Sequence, residues 1–182
     1  MLNILQILCC LLLLLGIMAP ACDGDKYLKK DMILTSAAFK QGEPIPVIYT
    51  CKGEELSPPL SWNNIPPNTL SLALVVKDPD TTHGTFVHWV AWNIDPKRKE
   101  LPENIKEDAP ETLMMQGTNG ALKIGYKGPC PPSGTHRYYF ILYALDAKLD
   151  LKKSANIAKF EKAIEGHVIE EAQLMGTFKH VL

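Results

Sequence analysis

Leu70-Ser71-Leu72-Ala73-Leu74-Val75-Val76-Lys77, followed at once by Asp78-Pro79, decides the fold class of this 182-residue chain. The run is apolar except at Ser71 and Lys77 and turns β-branched near its end. It reads as a buried strand, and the Asp-Pro pair stops it. Two more strong strands follow in the same manner. Phe86 to Ile94 is aromatic and β-branched and is stopped by Asp95-Pro96. Arg137 to Leu145 is rich in Tyr, Phe and Ile, which favour a pleated surface. Met32 to Thr35, Pro46 to Thr50 and Gly176 to His180 read as shorter strands. Helical spacing enters only in the last third. Ser154 is placed to cap a helix that aligns Ile157, Phe160, Ala163 and Ile164 on one core-facing stripe and ends at Gly166. His167 to Leu174 reads as a second short helix. The expected fold is mainly β, a two-sheet antiparallel sandwich with one or two short helices near the C-terminus.

Composition narrows the function classes. A hydrophobic fraction of 46% over this length suits one domain with a real core, and a net charge of −1 lacks the basic footprint of a nucleic-acid binder. The 14 prolines and 12 glycines suit many turns rather than a helical bundle. They concentrate in connections: Lys97 to Gly120 is polar and irregular, and Lys123 to Thr135 carries three prolines and three glycines. Connections this long in a compact domain are usually functional. Lys97-Arg98-Lys99 reads as a solvated loop.

The N-terminus reads as a targeting segment. Ile4 to Met18 is almost wholly apolar and runs into Ala19-Pro20-Ala21-Cys22, so residues 1–21 are assigned to a signal peptide, 22–31 to a flexible lead-in and 32–182 to the domain. No Lys or Arg precedes the apolar run. Cleavage after Ala21 would release a periplasmic or secreted protein. Lipidation at Cys22 would anchor it instead, although a lipobox prefers Leu where Ala19 stands; an uncleaved anchor is a third reading. Export leaves Cys51 and Cys130 as a candidate disulfide, since two thiols in an oxidising compartment commonly pair.

Four polar clusters carry the candidate chemistry. They are Asp78-Pro79-Asp80; His88-Trp89 inside its strand; Gly128-Pro129-Cys130-Pro131-Pro132 running on to His136-Arg137-Tyr138; and Ser57-Pro58-Pro59-Leu60-Ser61-Trp62. Taken singly, the first is an ordinary turn and His88 an ordinary sheet histidine. Together, in this order and spacing, with Thr50-Cys51 and Gly53 before them, they resemble the phosphatidylethanolamine-binding protein family. Within it they are most similar to the bacterial and archaeal branch labelled Raf-kinase-inhibitor-like. The likeness runs from about Met32 to the end. It implies a two-sheet β-sandwich with a small pocket for phosphate, phosphoethanolamine, acetate or similar anions. Carried over, that pocket is lined by Asp78, His88, His136 and Tyr138, with Pro129 to Pro132 as a wall. The family's Asp-Pro-Asp-Ala-Pro is here Asp78-Pro79-Asp80-Thr81-Thr82, so a looser rim is expected. The short stretch after His180 leads to the expectation that the C-terminal helix of eukaryotic members is absent.

Physical chemistry supports the same seat. Two imidazoles offer N–H donors, and a carboxylate orients a histidine and favours its charged form. Rigid Gly-Pro turns expose backbone amides. Tyr138 adds a hydroxyl. The expected function is therefore an exported, non-catalytic binding protein for a small anion or phospholipid headgroup, with no cofactor and no catalytic residue. The chain contains no Gly-x-Ser-x-Gly elbow and no His-Glu-x-x-His pair. Three alternatives compete. One is a hydrolase using Asp78 with His88 or His136, or Cys130 as nucleophile. Another is an inhibitor that presents the Pro-rich loop to a protease or another protein partner. The third is a zinc site from Asp78, Asp80, His88 and His136, which lacks close ligand pairs. Trp62, Trp89 and Trp92 read as core, with Trp89 facing away from His88 by strand alternation. Arg137 reads as a structural ion pair, and His83, His167 and His180 as surface.

Overall fold

The computed structural model describes residues 30–180, and its folded unit begins at Asp31. The signal-peptide assignment, Cys22 and most of the lead-in lie outside the described residues. Among the described residues eight strands and one α-helix are formed: β1 (Ile33–Thr35), β2 (Leu60–Asn63), β3 (Ser71–Asp78), β4 (Phe86–Ile94), β5 (Glu100–Leu101), β6 (Met115–Gln116), β7 (Thr135–Leu145), α1 (Ile157–Ile164) and β8 (Val168–Lys179). They build an antiparallel three-stranded sheet, β1-β2-β5, and an antiparallel five-stranded sheet, β6-β4-β3-β7-β8.

The near-continuous apolar run of β3 has a direct cause. The strand is central in its sheet and covered on both faces. Leu72, Leu74 and Val76 enter the main core with Leu34, Trp62, Tyr138 and Phe140. Ala73 and Val75 enter a second cluster with Val90, Trp92 and the helix residues Phe160 and Ile164. The helix thus seals the second face of the large sheet. Full burial of a side chain such as Phe160 stabilises by roughly 1.5–3 kcal/mol.

Several elements differ from expectation. Pro46 to Thr50 is not a strand. Val47–Tyr49 is a 3₁₀ turn, because Pro46 sets φ at −58° and the Tyr49 amide turns back to the Pro46 carbonyl at 3.0 Å. The Thr50 hydroxyl also takes the Val47 carbonyl, at 2.8 Å. The helix starts later than expected. Ser154 has a φ of 72° and cannot cap it, whereas Asn156 Oδ1 accepts the Lys159 amide at 3.1 Å. The second helix expected over His167 to Leu174 is overturned. Val168–Lys179 is one long strand paired to β7 along its length, and this ladder overrides the helix preference of Glu170, Glu171, Ala172 and Leu174. The connection from Lys97 to Gly120 holds the short strands β5 and β6, and the Pro58-Pro59 segment runs into β2.

One irregularity shapes the site. Val76 pairs with Trp89 but Lys77 with Val87, so His88 is the extra residue of a β-bulge. Val87 and Val90 both enter the second cluster. His88 stacks on Tyr138, and Tyr138 shares the main core with Trp89. His88 and Trp89 therefore lie on the same side of the sheet, not on opposite sides.

Candidate functional site

β3 and β4 are joined at the end where β7 begins, so Asp78, His88 and His136 meet although 58 residues separate the first from the last. Asp78 is the last residue of β3 and is buried. His136 donates from Nδ1 to Asp78 Oδ2 at 2.7 Å, and the Asp80 amide donates to Asp78 Oδ1 at 2.8 Å. Asp80 in turn receives the Arg137 backbone amide at 2.8 Å, Nε at 3.0 Å and Nη2 at 2.6 Å. The expected ion pair of Arg137 is thus a two-pronged clamp on Asp80. The Arg137 hydrogen bonds hold the Asp80 carboxyl down at about 2, against the opposing effect of desolvation.

His88 sits between two aromatic rings, Phe86 at 4.8 Å and Tyr138 at 5.1 Å between centroids, both edge-on. Its Nδ1 lies 2.6 Å from the Lys127 carbonyl oxygen. A carbonyl only accepts, so Nδ1 carries the hydrogen and Nε2 is left as a lone pair when the ring is neutral. Burial pushes the His88 pKa below its ordinary value, which favours that neutral ring.

The Gly128 to Pro132 loop forms the wall and is tied down on both sides. Cys130 is joined to Cys51 by a disulfide with a Cα separation of 5.5 Å. The Cys51 amide donates to the Pro129 carbonyl at 3.1 Å. Glu55 Oε1 receives both Lys127 Nζ at 2.6 Å and the Gly128 amide at 3.1 Å. Gly128 has no side chain for a reason of space, since a Cβ there would stand 2.8 Å from the Tyr49 carbonyl oxygen. At the far end His180 Nδ1 donates to the Pro131 carbonyl at 2.9 Å, a structural task for a histidine read as surface.

Together these groups enclose a cavity of about 200 Å³, lined by Asp78, His88, Cys130, Pro131, Pro132 and His136 and completed by Thr81, Phe86, Lys127 and Gly128. Two residues expected in the lining take other places. The Pro129 carbonyl is occupied by Cys51, and Tyr138 is fully buried beneath His88. The Tyr138 hydroxyl lies near Asp78 and the Cys130 backbone without a hydrogen bond of normal geometry. Burial, reinforced by Asp78, pushes its pKa well up. Phe86, Lys127 and Glu55 were not legible as site residues. Phe86 follows from its place two residues before His88, but Glu55 and Lys127 meet only through the fold. Because Cys130 is bonded to Cys51, it has no free thiol to act as a nucleophile. Among the described residues no three His, Cys, Asp or Glu side chains are grouped to hold a metal ion, and no helix is long and apolar enough to cross a membrane.

Comparison with known proteins agrees with this architecture. A protein of Methanothermobacter thermautotrophicus described as a UPF0098 protein is 46% identical over 150 residues, covering 81% of this chain and 99% of the relative. A UPF0098 protein of Archaeoglobus fulgidus is 42% identical over 160 residues, 87% of this chain, and the chain spans only 54% of that longer relative. Two crystal structures superpose closely. A phosphatidylethanolamine-binding protein homologue of Chlamydia trachomatis has a TM-score of 0.77 at 40% identity and covers 83% of this chain and 99% of its own. An Escherichia coli protein described as a member of the mammalian family has a TM-score of 0.78 at 27% identity, over 84% and 100%. The profile for phosphatidylethanolamine-binding proteins matches residues 35–179, which spans every strand but the first residues of β1, and the chain belongs to that family.

Proposed function

We propose that the protein is an exported, non-catalytic binding protein whose cavity beside Asp78, His88 and His136 takes a small anion, such as phosphate or a phospholipid headgroup. The observation that carries this reading is the convergence of two histidines, one of them held by a buried carboxylate, on a cavity of about 200 Å³. The disulfide supports export, since such bonds persist in oxidising compartments. Its bonded sulfurs favour binding over thiol chemistry. Release into the periplasm or medium and lipid anchoring at Cys22 are both open routes, and mass spectrometry of the mature N-terminus separates them.

Calorimetric titration of phosphate, phosphoethanolamine and acetate tests the reading, alongside His88→Ala and Asp78→Ala. Binding that both substitutions remove while the circular dichroism spectrum is retained supports the site. No heat with any anion sinks it and turns attention to a protein partner, such as a protease, docking on the Gly128 to Thr135 loop.

A further inference from the structure

The charges around the cavity are arranged unlike those of an ordinary phosphate seat. The two permanent cations nearest to it are already matched: Lys127 by Glu55 at 2.6 Å and Arg137 by Asp80 at 2.6 Å. Asp78 places a carboxylate in the lining. The groups facing His88 are Asp78 from β3, Tyr138 and His136 from β7, Lys127 from the loop and Glu55 behind it. Lys127 lines the cavity too, but its charge is matched by Glu55; a protonated His136, whose Nδ1–H goes to Asp78, offers a ligand its Nε2–H. His88 cannot donate from Nε2 in its neutral form, because its hydrogen is committed to the Lys127 carbonyl. That nitrogen has no protein partner among the described hydrogen bonds, and it belongs to a ring that lines the cavity. A ligand oxygen meeting it must bring its own hydrogen, or two lone pairs face each other in a site of low polarity.

Resting on the anion-site reading above, we propose that the cavity takes its anion in a protonated form, the singly charged acid of a phosphate monoester. Glu55 is the positioning residue that sets this preference, by matching the Lys127 charge and holding the loop carbonyl that orients His88. In this arrangement the P–OH group donates to His88 Nε2, and an ionised oxygen accepts from Nε2–H of the charged His136. A dianion has no hydrogen for His88 and adds a second negative charge beside Asp78. A phosphate diester has the right charge but no hydrogen. Burial of His88, which favours its neutral ring, works in the same direction.

Calorimetry on the full chain with methyl phosphate, dimethyl phosphate and sulfate between pH 5.5 and 8 tests this. Methyl phosphate should weaken about tenfold per pH unit above its second ionisation near pH ~6. At pH 5.5 sulfate and dimethyl phosphate should each bind at least about tenfold more weakly than methyl phosphate, the cost of one unmade buried hydrogen bond. At pH 5.5 dimethyl phosphate carries the same single charge as methyl phosphate, so that pair isolates the ligand's hydrogen. Glu55→Gln keeps an acceptor for the Gly128 amide but frees Lys127. It should tighten sulfate about tenfold and flatten the methyl phosphate profile, and Glu55→Gln/Lys127→Met should undo both changes. Sulfate or dimethyl phosphate binding as tightly as methyl phosphate at pH 5.5 overturns the proposal while leaving the anion site intact. So does an affinity for methyl phosphate that holds or rises with pH. No binding of any of the three at any pH removes the anion site and this inference with it. Sedimentation with vesicles containing phosphatidic acid, a lipid monoester, then separates a membrane-borne ligand from a free one; either result retains the protonated-monoester chemistry.

Discussion

Removing the Cys51–Cys130 bond with Cys51→Ala/Cys130→Ala perturbs stability through a quantity that the structure supplies. The bridge closes a loop with a sequence separation of 79 residues. In the chain-entropy picture, opening a loop of that length gives the unfolded chain freedom worth about 4.5 kcal/mol, and native disulfides measure at roughly 2–5 kcal/mol. The folded loop keeps other anchors, namely the Cys51 amide on Pro129 and the Glu55 contacts to Lys127 and Gly128, so the double variant should still fold. Its midpoint in urea should fall by roughly 2 M for a slope of about 2 kcal/mol per molar. Its thermal midpoint should fall by about 10 °C or more for a domain of this size. Urea unfolding followed by tryptophan fluorescence reads the effect, with the unmodified protein in its oxidised form as reference. A loss below about 1 kcal/mol would refute the loop-closure reasoning. Free thiols mapped by alkylation and peptide mass spectrometry to Cys51 and Cys130, in protein prepared under oxidising conditions, would refute the bond itself and reopen Cys130 as a nucleophile.

Three further outcomes are expected. Asp80 should titrate near pH 2 by carbon-detected NMR and return toward about 4 in Arg137→Ala, since the arginine hydrogen bonds are the main cause of its shift. Because the folded pKa is lowered, the stabilisation is present at neutral pH and is lost as pH falls from about 4 to about 2. His88 should show a neutral, Nδ1-protonated ring in nitrogen-15 spectra at pH 6.5, since burial lowers its pKa; an imidazolium signal there would contradict the effect of burial. Phe160→Ala should cost about 3–5 kcal/mol in urea unfolding, because it empties the contact between α1 and the large sheet. A cost under 1 kcal/mol would mean that the helix does not seal that face.

Much of the fold was legible because its strongest strands are local patterns. The burial of β3 on both faces writes a continuous apolar run, and Asp-Pro pairs mark where β3 and β4 end. Only the end of the last strand, from Gly176, was legible. Glu170, Glu171, Ala172, Gln173 and Leu174 suit a helix, and only eleven paired positions along β7 make them extended. Val47-Ile48-Tyr49 failed in the opposite direction: its residues suit a strand, but the Pro46 turn and the Thr50 hydroxyl close it locally. In the site, Asp78, His88 and His136 stood out only by their co-occurrence in the order of the family they resemble, and the tertiary structure brings them to one cavity. The bulge at His88 alters which way it faces, and a bulge is a property of two paired strands rather than of one sequence.

By itself the sequence determined the β-rich class, the three inner strands of the large sheet and the stripe of the helix. These follow from hydrophobic period and turn chemistry, which act over a few neighbouring residues. Tertiary structure alone decided that Glu55 neutralises Lys127, that Lys127 fixes the hydrogen of His88, and that Cys51 and His180 hold the two sides of one loop. Those partners lie 39 to 79 residues apart. Hydrogen bonds and ion pairs act over a few ångströms, so their partners are set by how the sheets bring distant segments together and leave no periodic trace along the chain.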